Sequence, residues 1–377
     1  MRIVLTVEFY YPRRGGAEQV VASLAERLVR RGHEIVVATS ADPRRREDHH
    51  NGVRIVGFGI TGNASRGMRG DLRRYRRWLL DEPCDVMMNY AAQVWPTDAA
   101  LDLLDQLPCA RVLATCGFSG LHGARRLLYW RYYRRMRARA GLYHAFVYHA
   151  CSGADVSFGQ RFGPSVQVVI PNGAEASEFD GPRGEFRRRW GIGARPLLLH
   201  VGNHYRLKGH RDLFALMDAL GPRAGDLTLV MVGDDPGGRT SCWQACVRAA
   251  AARSNVMLLS GLAREEVVAA FRDADLVLLP SRFEVAPLVL VEAMAAGVPF
   301  VTYDVGNARE LAGGVVTTGI SGLIEATESL LYDEDRRLAL GAQGRQAQRH
   351  HLEWDRITDR YEALFAALTE PKGSGQA

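Results

Sequence analysis

The sequence predicts an α/β protein built from two lobes, each with a parallel β-sheet. Two successive series of strand patterns carry this prediction, because helical patterns lie between most of the strands, as is typical of parallel sheets. A turn signal at 171–173 and a connector at 178–183 separate the two series. With 377 residues, of which 47% are hydrophobic, the chain can form two or three packed domains.

The first lobe is predicted at residues 1–177. Its first strand leads through a turn into a helix at 17–31, and each later strand is a short apolar run of strand length. The predicted strands of this lobe are residues 3–7, 34–39, 53–58, 85–89, 111–115, 143–149 and 166–170.

The second lobe is predicted at residues 184–350. The chain then stays helical to residue 367, and the apolar residues at about 353–368 are spaced for one helix face. Residues 369–377 are predicted to form a disordered tail. The predicted strands of the second lobe are residues 196–201, 227–232, 255–259, 276–280, 299–303 and 314–317.

Composition excludes some classes of protein. No stretch of about twenty apolar residues occurs and a charge interrupts the first strand, so we expect a cytoplasmic protein without a signal peptide. The six cysteines are scattered, and the only close pair, Cys242 and Cys246, has no matching second pair. This spacing favours reduced core thiols over disulfides or zinc.

The net charge of +6 comes almost wholly from arginine, since lysine occurs only at positions 208 and 372. Arginines interleaved with aromatic residues are dense at 73–78 and 125–139. Such segments can bind anionic membranes, phosphate-bearing acceptors or nucleic acid. The alternative is a solvated basic helix whose aromatic side chains pack inward, and the sequence leaves both interpretations open.

Two glutamates near the C-terminal end carry the strongest functional signal. The apolar run 275–280 predicts a buried strand, after which Glu284 lies on the exit loop. Pro287 suits the first turn of a helix at 288–296, and Glu292 sits about one turn inside it. Ligands bind beyond the carboxyl ends of parallel strands, where a helix N-terminus favours phosphate. The carboxylates can accept hydrogen bonds from sugar hydroxyls.

Two further loops predict anion binding. Gly15 and Gly16 form a turn before the first helix, although this turn lacks the Gly-x-Gly-x-x-Gly pattern of a dinucleotide site. In the second lobe, Lys208 follows a strand, where a cation can neutralise a diphosphate, and Arg206 lies two positions before it. The Asp273-Ala274-Asp275 pattern is predicted to end a helix and begin a strand rather than to hold Mg²⁺.

The segment from Glu284 to Pro299 resembles the signature of the retaining, nucleotide-sugar-dependent glycosyltransferases of family 4. The resemblance covers the two glutamates, Pro287 and the run Glu-Ala-Met-Ala-Ala-Gly-Val-Pro. The turn at 15–18 and the pair Lys208-Gly209 are also similar to motifs of that family. The resemblance implies a GT-B fold, in which two Rossmann-like lobes face each other across a cleft and the last helix crosses back to the first lobe.

The same resemblance implies roles for single residues. Glu292 would bind the ribose hydroxyls of the donor, Glu284 would face the donor sugar, and Lys208 would contact the diphosphate. Gly15 and Gly16 would border the donor phosphates and the acceptor. The backbone amides of Leu288 and Val289, at the helix start, would join Lys208 in stabilising the leaving group.

Three positions depart from the family pattern. Val285-Ala286 stands where the family often has Gly-Phe-Gly. Asn203, a candidate for donor binding, stands where an arginine is common, and Arg206 could fill the role of that arginine. Cys116 or Gly117 occupies the place of a frequent histidine. The acceptor-side candidates are therefore His122 and Asn172, the latter in the Pro-Asn-Gly turn.

The function predicted from these residues is metal-independent transfer of a hexose from a nucleoside-diphosphate sugar to a hydroxyl acceptor. The resemblance alone implies retention, and the synthesis of an envelope glycan or glycolipid at the inner face of the membrane would suit the basic segments. No cofactor other than the donor is expected. The alternative is a sugar-nucleotide epimerase of similar fold, and a nucleic-acid-binding protein is a third hypothesis that leaves the phosphate motifs unexplained.

Overall fold

The computed structural model describes residues 1–13, 15–121, 126–221 and 226–370, and it divides the chain into two compact units. The first unit contains residues 1–171 together with the segment from Trp354, and the second contains residues 172–353. The predicted disordered tail lies outside the described residues from position 371 onwards.

The first unit is built on an eight-stranded sheet. Its strands run in the order β10-β9-β8-β7-β1-β2-β4-β3, and every pair is parallel except β3 with β4, while β5 and β6 form a separate hairpin. The ten strands are β1 (Arg2–Thr6), β2 (Glu34–Ser40), β3 (His49–His50), β4 (Val53–Phe58), β5 (Ile60–Asn63), β6 (Gly67–Gly70), β7 (Val86–Tyr90), β8 (Ala110–Ala114), β9 (Ala145–Tyr148) and β10 (Val166–Val169).

Helices flank this sheet and bury apolar side chains against it. Val4, Met87, Leu113 and Phe146, from four of its strands, belong to one buried core with residues of the helices. The helices of this part are α1 (Gly16–Arg30), α2 (Leu72–Asp81), α3 (Trp95–Ala100), α4 (Arg126–Arg139) and α5 (Ala154–Phe162).

The second unit has a six-stranded sheet in the order β13-β12-β11-β14-β15-β16, with every pair parallel. Its strands are β11 (Leu197–Val201), β12 (Thr228–Val232), β13 (Val256–Leu259), β14 (Leu276–Leu279), β15 (Phe300–Tyr303) and β16 (Gly314–Thr317). Its helices are α6 (Glu185–Arg189), α7 (His210–Leu220), α8 (Trp243–Ala251), α9 (Arg264–Asp273), α10 (Leu288–Ala296), α11 (Gly319–Tyr332) and α12 (Glu334–His351).

The last helix, α13 (Trp354–Thr369), belongs to the first unit. It packs beside α1, where Arg31 donates to Glu362 at 2.8 Å, and its Tyr361 and Phe365 are buried. The single helical stretch predicted from residue 321 is therefore three helices. One break lies at Asp333, whose carboxylate accepts the backbone N–H of Arg336 at 2.9 Å and caps α12.

The strand orders place a topological switch point in each sheet. In the second unit, β11 lies between β12 and β14, so the chain builds outward on one side of β11 and then on the other. In the first unit, β1 lies between β2 and β7 in the same way. A crevice opens at the carboxyl ends of strands at such a point, and ligands of α/β proteins bind there.

The two parallel-sheet units confirm the predicted fold class. The strand β3 and the hairpin β5–β6 were not predicted, because they are short and lack a continuous apolar run. In the part of the chain that the structure describes, no helix combines the length and the apolar character needed to span a membrane.

Candidate active site

An ion pair stands at the switch point of the second sheet. Lys208 follows β11 in a short 3-10 turn, and Glu284 lies on the loop after β14, the neighbouring strand. The Lys208 Nζ donates to the Glu284 Oε1 at 2.7 Å, and the two side chains are 28% and 12% exposed. The structure thus brings together two residues that are 76 positions apart and that the sequence proposed independently.

Helix α10 begins directly after this loop. Pro287 precedes Leu288 in an extended conformation, and no side chain caps the helix start. The amides of Leu288 and Val289 belong to the first turn, where the helix itself supplies no acceptor. Their N–H groups and the helix dipole therefore favour an anion beside Lys208.

The backbone of Val285 and Ala286 is held from two sides, although the family's glycines are absent here. The Asn307 N–H donates to the carbonyl of Val285 at 2.9 Å, and the Asn172 Nδ2 donates to the carbonyl of Ala286 at 2.7 Å. Gly306 has a φ of +53°, and a Cβ there would stand 2.2 Å from the Val285 carbonyl oxygen. In this unit Asn172 positions the loop that carries Glu284.

Glu292 is buried and paired with a residue that the sequence prediction missed. Its Oε1 accepts from Arg264 Nη1 at 2.6 Å, and Arg264 also donates to Glu178 at 2.6 Å and lies over the ring of Phe179. Burial works against the charge of Arg264, but the two carboxylates hold its pKa above the ordinary value. No local sequence pattern predicted that Arg264 pairs with Glu292, because Arg264 lies 28 positions earlier, at the start of another helix.

Asn203 and Arg206, the remaining donor-side candidates, lie in the segment between β11 and Lys208. The Asn203 Oδ1 accepts the backbone N–H of Asp234 at 3.1 Å, which ties the β11 exit to the β12 exit. Arg206 is exposed in the turn before Lys208. The structure brings Lys208 and Glu284 together but shows no bond between Arg206 and Glu284.

Asp273 and Asp275 have the structural role predicted for them. Asp273 ends α9, and its carboxylate accepts the backbone N–H groups of Gly184 and Arg187. Asp275 directly precedes β14 and accepts from the Arg187 guanidinium at 2.6 Å. Both therefore anchor α6 to the sheet.

In the first unit, Gly15 caps α1 and Gly16 is its first residue. The Glu18 side chain folds back over this turn, since a Cβ on Gly15 would stand 2.3 Å from the Glu18 Oε2. Burial raises the pKa of Glu18, and burial also raises that of nearby Glu8, helped by the charge of Glu18. A carboxylate thus covers the helix start where the sequence predicted a bound anion.

Strained backbone marks the carboxyl ends of β7 and β8 in the same unit. Ala91, Gln93 and Cys116 all have positive φ, between 52° and 69°, which side chains with a Cβ rarely adopt. The Asp155 carboxylate supports this edge by accepting from the Thr115 hydroxyl and the Gly117 N–H. Such strain is often retained at functional sites. The predicted acceptor residue His122 lies outside the described residues.

The two arginine-rich segments differ in the placement of their aromatic side chains. In α2, Tyr75 is buried and its ring meets the Phe58 ring edge-on at 5.0 Å, as in the inward-packed alternative. In α4, Tyr132 is also buried, but Leu127, Leu128 and Trp130 are 82%, 61% and 50% exposed. We call these three residues, together with Arg131 and Arg134 beside Trp130, the α4 patch.

The family models that match the chain follow its division into two units. Residues 14–178 match the family model described as Glycosyltransferase Family 4, and residues 182–347 match the model described as Glycosyl transferases group 1. The chain is 25% identical to the GDP-mannose-dependent alpha-(1-6)-phosphatidylinositol monomannoside mannosyltransferase of Mycobacterium tuberculosis, over 94% of this chain and 96% of that protein.

Solved structures show the same fold over nearly the whole chain. Sucrose-phosphate synthase from Thermosynechococcus elongatus matches with a TM-score of 0.80 at 18% identity, covering 97% of this chain and 99% of that one. The Anabaena protein HepE in complex with UDP and glucose matches with a TM-score of 0.76 at 17% identity, with the same two coverages. These likenesses confirm the predicted GT-B fold.

Proposed function

We propose that this chain, a GT-B glycosyltransferase of the family 4 and group 1 type, transfers a hexose from a nucleoside-diphosphate sugar to a hydroxyl with retention. The observation that carries the proposal is the ion pair of Lys208 and Glu284 beside the start of α10. A cation, a carboxylate and a helix N-terminus meet there at the switch point of the sheet. These are the groups that a diphosphate and a sugar require.

Each group has a role in the proposed reaction. Lys208 and the amides of Leu288 and Val289 bind the diphosphate, whose negative charge grows as it leaves. Glu284 orients the donor sugar by accepting hydrogen bonds from its hydroxyls. Glu292 has one oxygen on Arg264, and we assign the ribose hydroxyls to its carboxylate.

The bond between the anomeric carbon and the diphosphate oxygen breaks first in this scheme. The acceptor hydroxyl then attacks the anomeric carbon from the face that the diphosphate leaves, so that the configuration is retained. Its proton passes to the departing diphosphate oxygen, which balances the reaction. The fixed positive groups stabilise the leaving group, so the scheme needs no divalent metal.

GDP-mannose is the donor that we propose to test first, because the relative that matches along nearly its whole length depends on it. The name of that relative gives phosphatidylinositol monomannoside, a lipid-linked mannoside, as the molecule that receives the mannose. A lipid-linked acceptor would suit the exposed α4 patch, and we propose that the reaction takes place at the cytoplasmic face of a membrane.

The epimerase alternative has no support from these comparisons. Both family models describe glycosyl transferases, and a relative that matches over 94% of this chain is a mannosyltransferase. The transferase interpretation also accounts for both units, since an acceptor needs a site of its own.

Saturation-transfer NMR with GDP-mannose, UDP-glucose and UDP-N-acetylglucosamine tests the proposal. We expect contact with one of these donors, and then transfer of its sugar to a glycolipid acceptor. The one-bond coupling between the anomeric carbon of the product and its proton reports whether the configuration is retained. If no nucleotide sugar binds, or if the donor is altered without any acceptor, the proposed function is wrong.

A further inference from the structure

A cluster of two histidines and two cysteines lies in the second unit, apart from the Lys208–Glu284 pair. One ligand atom from each of His204, His210, Cys242 and Cys246 lies within 4.8 Å of those of the other three. His204, His210 and Cys246 are buried, at 0%, 2% and 3% exposure. From this geometry we propose that the four side chains form a structural zinc site.

Two of the separations between the ligand atoms match those around a tetrahedral zinc ion. Zinc–sulfur bonds of about 2.3 Å and zinc–nitrogen bonds of about 2.0–2.1 Å place two sulfurs about 3.8 Å apart, and a sulfur and a nitrogen about 3.5 Å apart. In the structure the Cys242 and Cys246 Sγ atoms are 3.9 Å apart, and the Cys242 Sγ is 3.5 Å from the His210 Nδ1. A tetrahedral N₂S₂ set is typical of zinc.

His204 provides an independent reason to expect a ligand. Its side chain is fully buried, yet neither ring nitrogen has a hydrogen-bond partner among the residues that the structure describes. Burying a polar group without a partner costs free energy. Thiol–imidazole hydrogen bonding can explain the contact of Cys242 with His210, but it leaves His204 unexplained, whereas a metal bond would satisfy one of its nitrogens.

The surroundings have the features of a metal site. The second nitrogen of His210 faces the carbonyl oxygen of Gly202 at 3.4 Å, which is the outer contact that orients many ligating histidines. The ring of His204 stacks on that of His210 at 4.3 Å and meets the Trp243 ring edge-on. These contacts keep both imidazoles in place.

The fold explains how residues so far apart in the sequence meet. Cys242 precedes the first residue of α8 and Cys246 follows one turn later, so both sulfurs lie on one helix face. The segment around His204 hydrogen-bonds to the segment before α8, because the Cys242 N–H donates to the His204 carbonyl at 2.8 Å. An isolated bridge between Tyr205 and Ser241 adds to this contact.

The consequence concerns the loop that carries Lys208. His204 and His210 lie on either side of Lys208 in the sequence, so one ion would fasten both ends of that loop to α8. Zinc would then stabilise the conformation in which Lys208 reaches Glu284. The benefit of this conformation for sugar transfer rests on the proposed function. The binding of zinc by the four side chains does not.

Elemental analysis of the full-length protein, purified under reducing conditions without a metal-binding tag, tests the site directly. We expect close to one equivalent of zinc per chain. Replacement by Co²⁺ should give visible d–d bands and thiolate-to-cobalt charge-transfer bands. A strong chelator should lower the melting temperature of the wild type.

Two variants and two controls assign the ligands. Cys246→Ala and His204→Ala should both lose the bound zinc. After Co²⁺ is added, their thiolate-to-cobalt charge-transfer bands should be weaker than those of the wild type or differ from them in position. Chelator should no longer change the melting temperature of either variant. Cys151→Ser, at an exposed cysteine, and Cys109→Ser, at a buried cysteine of the first unit, should keep full occupancy. If the ligand variants do not fold, the cobalt spectrum of the wild type still reports thiolate ligation.

The proposal is wrong if the wild type contains no zinc and takes up neither zinc nor cobalt, or if Cys246→Ala binds as much metal as the wild type. These measurements use no sugar donor, so their outcome is separate from that of the transfer assay. Zinc without sugar transfer would leave the site in place and exclude the proposed function instead.

Discussion

Lys208 and Glu284 come from the ends of adjacent parallel strands, and their charged atoms lie 2.7 Å apart. Each side chain is largely shielded from water, so the attraction between the charges is screened less than at an open surface. The pair is electrically balanced before any donor binds. A diphosphate that approaches α10 offers Lys208 a second anion and leaves the Glu284 oxygens to accept sugar hydroxyls.

Replacement of Lys208 by alanine should reduce kcat by about 10²–10³-fold, as the loss of one preorganised charge-stabilising group does in other enzymes. The effect should fall mainly on kcat, because the charge on the diphosphate grows in the transition state. Steady-state kinetics measure both parameters. Arg309→Ala, which breaks an exposed ion pair with Asp304 in the same unit, should leave them unchanged. Turnover of Lys208→Ala within twofold of the wild type would exclude the role.

Glu292→Ala should abolish sugar transfer and weaken donor binding while the protein stays folded. The loss of its charged hydrogen bond should cost about 1–3 kcal/mol of stability, since Arg264 keeps its contact with Glu178. Donor titration and thermal unfolding measure the two effects separately. Glu178→Ala is the matched control, because it removes the other carboxylate of Arg264. Equal loss of donor affinity in both variants would show that Glu292 acts only through Arg264.

Strands such as β7, β9, β12 and β14 could be predicted because they are buried on both faces and therefore read as continuous apolar runs, and partly buried strands were also found. The predicted strand at 53–58 coincides with β4, and that at 314–317 coincides with β16. The short pairings β3–β4 and β5–β6 could not be predicted in this way. They depend on register and on glycine turns, and they leave little apolar pattern.

The candidate site could be predicted where a charged residue comes soon after a predicted strand. Lys208 and Glu284 both follow strands, so their meeting follows from the neighbouring positions of β11 and β14. The partner of Glu292 was not predictable, because Arg264 reaches it through tertiary packing. The histidines beside Cys242 were missed for the same reason, since spacing along the chain does not show which helices touch.

The α4 patch should bind anionic membranes. Leu127, Leu128 and Trp130 expose apolar area at the start of a helix whose arginines can meet lipid phosphates. Flotation with vesicles containing phosphatidylglycerol should recover the wild type at low salt and less of it at high salt. Trp130→Ala should reduce the bound fraction several-fold.

The control for this experiment is Leu338→Ser, which removes an exposed leucine beside Arg337 on α12 of the second unit. It should float like the wild type, because that helix carries no comparable cluster of exposed apolar residues. Equal flotation of Trp130→Ala and the wild type, or no binding of the wild type at any salt concentration, would show that the patch does not face lipid.

Asp98 should make the stability of the protein depend on pH. Its carboxyl is fully buried in α3, with one oxygen accepting the Ala64 N–H at 2.7 Å and the other without a partner among the described residues. Burial raises the pKa of Asp98 to about 7, while the charge of Arg135 opposes this shift and that of Glu8 adds to it. The folded protein therefore keeps a proton that the unfolded chain loses near pH 4.

The sign follows from this difference in bound protons. Between about pH 4 and pH 7 the folded state binds the proton more tightly, so the stability contributed by Asp98 falls as the pH rises and is constant above that range. Asp98→Asn removes the ionisation and keeps an acceptor for the Ala64 N–H. The free energy of unfolding of Asp98→Asn should match that of the wild type below about pH 4 and exceed it at pH 8 by up to about 4 kcal/mol, and thermal unfolding across this pH range measures the difference. Asp98→Ala should show the same pH dependence as Asp98→Asn, with lower stability than Asp98→Asn at every pH. Parallel curves of stability against pH for Asp98→Asn and the wild type would show that the Asp98 carboxyl is ionised in the folded protein.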